Sequence, residues 1–156
     1  MSSIELRAKS SDDLRTWLTG MWDGYRTDLI DAGHSREDAE RNIERNRSQL
    51  LVGEDLADGQ FVFDVWRGDD KVGTLWLGVR SGTDWWIYDI VIDQAFRGTG
   101  LGRPTLRAAE EYVRSRGGSR LGLNVFGPNA VARHLYDAAG YQVTSLQMTK
   151  DLTLSE

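Results

Sequence analysis

The chain has 156 residues, 40% of them apolar and six of them tryptophan, which is enough for one domain, residues 1–156, with a substantial core. A net charge of −5 with no basic stripe argues against a nucleic-acid partner, and no run is long and apolar enough for a membrane partner. The absence of cysteine excludes disulfides, a thiol nucleophile and any cysteine zinc site, and two histidines, His34 and His134, give no reason to expect a metal.

Ile4 to Ala8 reads as a short strand. Leu14, Trp17, Leu18, Met21, Trp22, Tyr25 and Leu29 then recur at helical spacing, behind Ser10 or Ser11 as a cap. Gly33-His34-Ser35 ends this helix, and Ser35 opens a second one, whose thin apolar stripe is Ala39, Ile43 and Leu50 on an otherwise charged, solvated surface. Residues 61–66 and 72–79 alternate as two strands of a hairpin about Gly68, and Ser81-Gly82-Thr83 turns the chain into an apolar strand over 85–92.

The next stretch carries the most information. Arg97-Gly98-Thr99-Gly100-Leu101-Gly102-Arg103 lies between that strand and a helix over 105–113. Glycines let backbone approach a ligand closely, and loop amides together with a helix N-terminus attract an anion, so a phosphate-bearing ligand is expected. The loop is not a P-loop, because no Lys-Ser or Lys-Thr follows the glycines, and its G-x-G-x-G spacing is not the dinucleotide G-x-G-x-x-G. Taken alone, a tight strand-to-helix turn explains it as well. Downstream, residues 121–126 read as a strand, Gly127-Pro128-Asn129 as a break and cap, 130–139 as a short helix stopped by Gly140, and Tyr141-Gln142-Val143 as the start of a final strand.

The order Arg97-Gly98-x-Gly100-x-Gly102, strand, Asn129, Leu135-Tyr136 and Gly140-Tyr141 resembles the GNAT superfamily of N-acetyltransferases. Ile87-Tyr88-Asp89 and residues 124–129 look like its bacterial branch. The resemblance implies an α+β GNAT fold: a mixed, mostly antiparallel central sheet of about six or seven strands, flanked by about four helices and splayed between strands 85–92 and 121–126. It also implies transfer of an acetyl group from acetyl-CoA, as cosubstrate and without a metal, directly to a primary amine of a small molecule or peptide; with no long apolar segment or signal peptide in the sequence, the cytoplasm is the default expectation. A non-catalytic acyl-CoA-binding sensor is the alternative. A monomer and a homodimer fit equally.

Residue by residue, the resemblance places the pyrophosphate on Arg97, Gly98, Thr99, Gly100, Leu101, Gly102 and Arg103. It lays the pantetheine arm along the backbone of Ile90, Val91 and Ile92, with an amide there as oxyanion donor. Asn129 would contact the arm, cap the helix, or do both. Tyr136 falls at the position of the acid that meets the leaving thiolate, or is a core aromatic. Trp22 and Tyr25 would wall the acceptor site, or pack in the core. Part of the family carries a glutamate where this chain has Asn124, and an amide cannot take a proton, so Asn124 is left to orient substrate or water. Asp89, acting through water, is then the candidate base; an acid that positions a loop or pairs with an arginine fits it as well.

Overall fold

The structure, a computed structural model, describes residues 3–153. In chain order it contains β1 (Ile4–Ala8), α1 (Ser11–Asp31), α2 (Arg36–Leu50), β2 (Leu51–Val52), β3 (Asp55–Leu56), β4 (Gln60–Arg67), β5 (Asp70–Ser81), β6 (Asp84–Ile92), α3 (Gly102–Ser115), β7 (Arg120–Leu123) and α4 (Ala130–Ala138). Ser10 and Ser35 cap α1 and α2, each hydroxyl accepting a backbone N–H from three residues on, at 3.2 and 3.1 Å.

The main sheet has the order β1-β4-β5-β6-β7; β2 and β3 form a separate two-stranded ribbon. The first three pairings are antiparallel, and β6 with β7 is parallel, as expected for strands joined through a helix. This is the mixed, mostly antiparallel α+β sheet with four helices.

Strand alternation sorts the core into two layers. Phe63, Val65, Leu75, Leu77, Trp85 and Ile87 pack with Leu106, Ala109 and Val113 of α3. Their in-between neighbours Val62 and Trp76 point to the opposite face and pack with Leu14, Leu18 and Trp22 of α1 and Ala39 and Ile43 of α2. Each such fully buried aliphatic or aromatic side chain contributes about 2 kcal/mol relative to exposure.

A charged pair pins the first strand to this second layer. Lys9 Nζ lies 2.5 Å from Asp64 Oδ1, with the side chains only 6% and 17% exposed, and it faces the ring of Trp17.

The expected final strand does not form. Among the described residues no strand follows β7, and Val143, Leu146 and Met148 are exposed. Val143 differs in parity from Leu146 and Met148, so no single strand face collects all three. The strand expected over 121–126 is also shorter, ending at Leu123, so Asn124 lies beyond it and is exposed.

Candidate active site

Two departures from regular pairing in β6 build the site. The first is on the β7 side, where pairing runs from Asp84↔Arg120 to Ile87↔Leu123 and then stops. Strand β6 continues to Ile92 without a neighbour on that edge, so the sheet splays there.

The second is a bulge. Trp76 pairs with Asp89 while Leu77 pairs with Ile87, so Tyr88 is an extra residue against β5. One inserted residue exchanges the two faces of everything beyond it. Ile90 and Ile92 therefore join Trp85 and Ile87 on the α3 side, while Tyr88, Asp89 and Val91 all face α1.

Register also decides which backbone groups reach the open edge. Asp93 N–H donates to Val72 C=O at 2.8 Å, so Asp93, and by alternation Val91, bond toward β5. The amides and carbonyls of Ile90 and Ile92 point outward. The Ile92 carbonyl already accepts from Arg97 Nε at 2.9 Å. Of the three residues expected to lie along an extended arm, Ile90 and Ile92 have backbone groups pointing away from β5, and Val91 turns its side chain to the cleft. One guanidinium nitrogen of Arg97 is spent on holding the loop to the strand.

Residues 97–103 connect this edge to α3. Gly98 and Gly100 have φ of +77° and +79°, and the buried Leu101 that follows has φ −83°, ψ −16°. A left-handed residue followed by a right-handed one turns successive N–H groups to one side, forming an anion nest. Thr99 closes the turn, its hydroxyl donating to the Phe96 carbonyl. Unlike α1 and α2, helix α3 has no side-chain cap and no acid in its first turn, so among the described residues nothing caps the first-turn amides of Gly102 and Arg103; Pro104 has no N–H. Gly102 serves packing: a Cβ there would meet Leu135 Cδ2 of α4 at 3.1 Å. Arg103 reaches the other end of α4 and donates to the Ala138 carbonyl at 3.2 Å.

Helix α4 starts at Asn129, whose Oδ1 accepts the Ala132 N–H at 3.1 Å; the cap is formed and the side-chain NH2 is left over. Tyr136 packs edge-on against Tyr141, centroids 5.8 Å apart. The two phenols differ in hydroxyl chemistry. Tyr141 donates to Glu110 Oε2 at 2.7 Å, whereas among the described residues the Tyr136 hydroxyl makes no hydrogen bond. Burial, reinforced by the charge of Asp89, pushes Tyr136 up to about 12, so it is protonated at neutral pH.

Asp89 and Tyr88 face a cleft of about 400 Å³ between β6 and α1. Its α1 wall includes Trp17, Met21, Tyr25 and Asp28. Burial lifts the Asp89 carboxyl from 3.8 to about 6; the Ile90 amide opposes the rise and nearby Asp28 adds to it. Tyr25 lines the cleft, tied by its hydroxyl to Asn42 Oδ1 at 3.0 Å, and its ring leans on Phe126. Trp22 does not line it: it is 6% exposed and sits edge-on to Trp76 in the core. The cleft's larger aromatic surfaces are Trp17 and Tyr88, which the sequence reading did not select. Among the described residues, no three His, Asp or Glu side chains converge to hold a metal, and no helix is long and apolar enough to cross a membrane.

An open sheet edge, an anion nest and an acid-bearing cleft that meet at one splayed strand are the features of an acyl-CoA-dependent transferase fold. The Acetyltransferase (GNAT) family matches residues 13–141, and the chain belongs to that family. Its relatives include two uncharacterised N-acetyltransferases of Bacillus subtilis. YycN is 28% identical over 155 residues, 96% of this chain and 99% of its own length. YdgE is 36% identical over 86 residues, about half of each chain (53% and 55%). The crystal structure of YycN superposes with a TM-score of 0.87 over 96% of this chain and 99% of that one. The PaiA N-acetyltransferase of Thermoplasma acidophilum, solved with coenzyme A, shares the fold at a TM-score of 0.63 and 18% identity, covering 93% of each chain. The protein is an N-acetyltransferase.

Proposed function

We propose that the chain transfers the acetyl group of acetyl-CoA to a primary amine held in the cleft between α1 and β6. The observation that carries this reading is the break in β6–β7 pairing after Ile87, which leaves the outward backbone of Ile90 and Ile92 open beside the nest at Gly98–Leu101. The nest and the free amides of α3 would take the pyrophosphate, with Arg97 and Arg103 adding charge. The Ile90 and Ile92 edge would pair with the amide-rich arm, and Asn129 would offer its side-chain NH2 to it.

The chemistry needs three acts from the protein. An amine must lose its proton before attack; Asp89, half-ionised near pH 6, accepts it directly or through a water in the cleft. The amine nitrogen then bonds to the carbonyl carbon while the edge amide of β6 faces the charge growing on the carbonyl oxygen. Finally the carbon–sulfur bond breaks: Tyr136, protonated and with a free hydroxyl, gives its proton to the departing sulfur, and the extra proton on the attacking nitrogen is returned to the phenolate through water, leaving a neutral amide and a thiol. The acyl oxygen stays in the new amide, so no water is consumed. The place of action consistent with this chemistry is the cytoplasm.

The test is free-thiol release from acetyl-CoA across primary amines, amino acids and short peptides. Release that depends on one amine class supports the transfer. Acetyl-CoA binding by calorimetry with no thiol release across the whole panel would overturn it in favour of a sensor.

A further inference from the structure

The cleft has an uneven α1 wall. Thr16, Gly20, Gly24 and Asp28 recur at intervals of four and all line it, a stripe running about 18 Å along one side of the helix. Glycine inside a helix is unfavourable relative to alanine. Neither glycine is called for by its backbone or its surroundings: both lie inside α1, neither has positive φ, and a Cβ at either would meet no atom within 4 Å. What their missing side chains provide is room in the cleft. The flanks of that room are aromatic or aliphatic, Trp17 and Met21 on the helix and Tyr88 across from it, and the carboxylates among the lining residues are Asp28 and Asp89. Among the described residues, no cationic side chain lines the cleft.

On the reading of this cleft as the acceptor site, we infer that Gly20 and Gly24 set its bore and that it selects an unbranched primary amine. The ammonium is drawn to the Asp28 and Asp89 end, and the straight aliphatic arm lies in the channel the glycines leave along α1. A ring or branch beside the arm would need the volume that Trp17 and Tyr88 fill. A free alkylamine and a lysine side chain present the same chemistry, and a capped peptide separates them.

The experiment measures kcat/KM by thiol release for the full chain with acetyl-CoA and ethylamine, butylamine, hexylamine, cyclohexylamine, or an N-acetylated peptide bearing one lysine. Expected is a rise with straight-chain length and an advantage of about tenfold or more for hexylamine over cyclohexylamine. Activity on the peptide assigns the lysine source, and its absence assigns the free amine. Gly24→Leu and the milder Gly20→Ala are expected to lower kcat/KM for hexylamine, about tenfold for the leucine. The acetyl-CoA dissociation constant should stay unchanged and the melting temperature unchanged or a few degrees higher, because a better helix former enters open space. That combination of higher stability and poorer amine use is not produced by a structural role. Cyclohexylamine turned over as well as hexylamine, or hexylamine kinetics unaltered in both variants, would overturn the inference while leaving the transferase intact. No thiol release with any amine would remove the transferase reading and the inference with it.

Discussion

The sharpest consequence of the bulge is an acid turned into a cleft where it is expensive to ionise, and Asp89→Asn tests it. Folding lifts this carboxyl from 3.8 to about 6, chiefly by burial. An acid whose folded pKa lies above its unfolded value binds its proton more tightly when folded. Stability is therefore highest below the unfolded pKa and falls as pH rises from about 4 through about 6. The shift of roughly two units corresponds to about 3 kcal/mol of stability withheld at pH 8. Asparagine keeps the shape and never ionises. The variant should melt higher than the parent at pH 8, by about 9 °C for a chain of this size, and the gap should close toward pH 4. Differential scanning calorimetry at pH 4, 6 and 8 reads it. Equal melting temperatures at pH 8, or a gap that does not depend on pH, would refute the desolvation of Asp89 and with it the cleft-facing geometry.

The same variant separates stability from chemistry. If Asp89 takes the amine's proton, the parent's kcat/KM climbs with pH through about 6, and Asp89→Asn loses that limb along with about a hundredfold in rate. Its acetyl-CoA affinity should be unchanged, since the residues assigned to the cofactor lie on the loop and the open strand edge.

Other substitutions probe the remaining parts. Tyr136→Phe should lower kcat by about 10²-fold with little change in acetyl-CoA affinity, because its hydroxyl makes no hydrogen bond among the described residues; full activity would return Tyr136 to a packing role. Gly100→Asp should abolish acetyl-CoA binding by calorimetry, as an acid enters the loop at a position where a Cβ meets nothing within 4 Å and the φ of +79° confines the strain to the loop; unchanged affinity in the folded variant would move the anion site elsewhere. Lys9→Ala should cost about 3 kcal/mol in urea unfolding by stranding the half-buried Asp64, and Lys9→Met with Asp64→Leu should recover most of it; no loss in the single variant would show the pair to be solvated.

Local chemistry was legible in the sequence where one residue type has one physical use. Ser10 and Ser35 start helices, positive-φ glycines at 68 and 82 turn hairpins, and the glycines of loop 97–103 mark a tight strand-to-helix connection with positive φ at Gly98 and Gly100. The faces of α1 were less legible. Trp17 and Trp22 both fall on its apolar side and both pack edge-on against Trp76, at 6.1 and 6.2 Å, yet Trp22 is buried while Trp17 borders the cleft, a difference the helical period does not carry. A signal did exist: Gly20 and Gly24 lie four residues apart inside an otherwise regular helical pattern and so share one side of it. The ribbon β2–β3 has two residues per strand, too few for any alternation to appear.

The bulge at Tyr88 is a different case, because nothing local demands it. Strict alternation from Trp86 would send Tyr88, Ile90 and Ile92 to the α1 face and bury Asp89 among Leu106 and Val113. Sequence alone favours avoiding that burial, but it can do so by ending the strand, by shifting its register against β5, or by inserting a residue. The third is realised because each of the others gives up something the extra residue keeps. Ending the strand would lose the pairs from Trp76↔Asp89 to Gly73↔Ile92, and a register shift would expose Trp85 and Ile87. With one residue inserted, two isoleucines reach the core, an acid reaches the cleft, and the Ile90 backbone is set on the open edge beside it. The arrangement proposed for catalysis is thus the by-product of satisfying two hydrophobic layers with one strand, which is why it becomes visible only when both layers are in place.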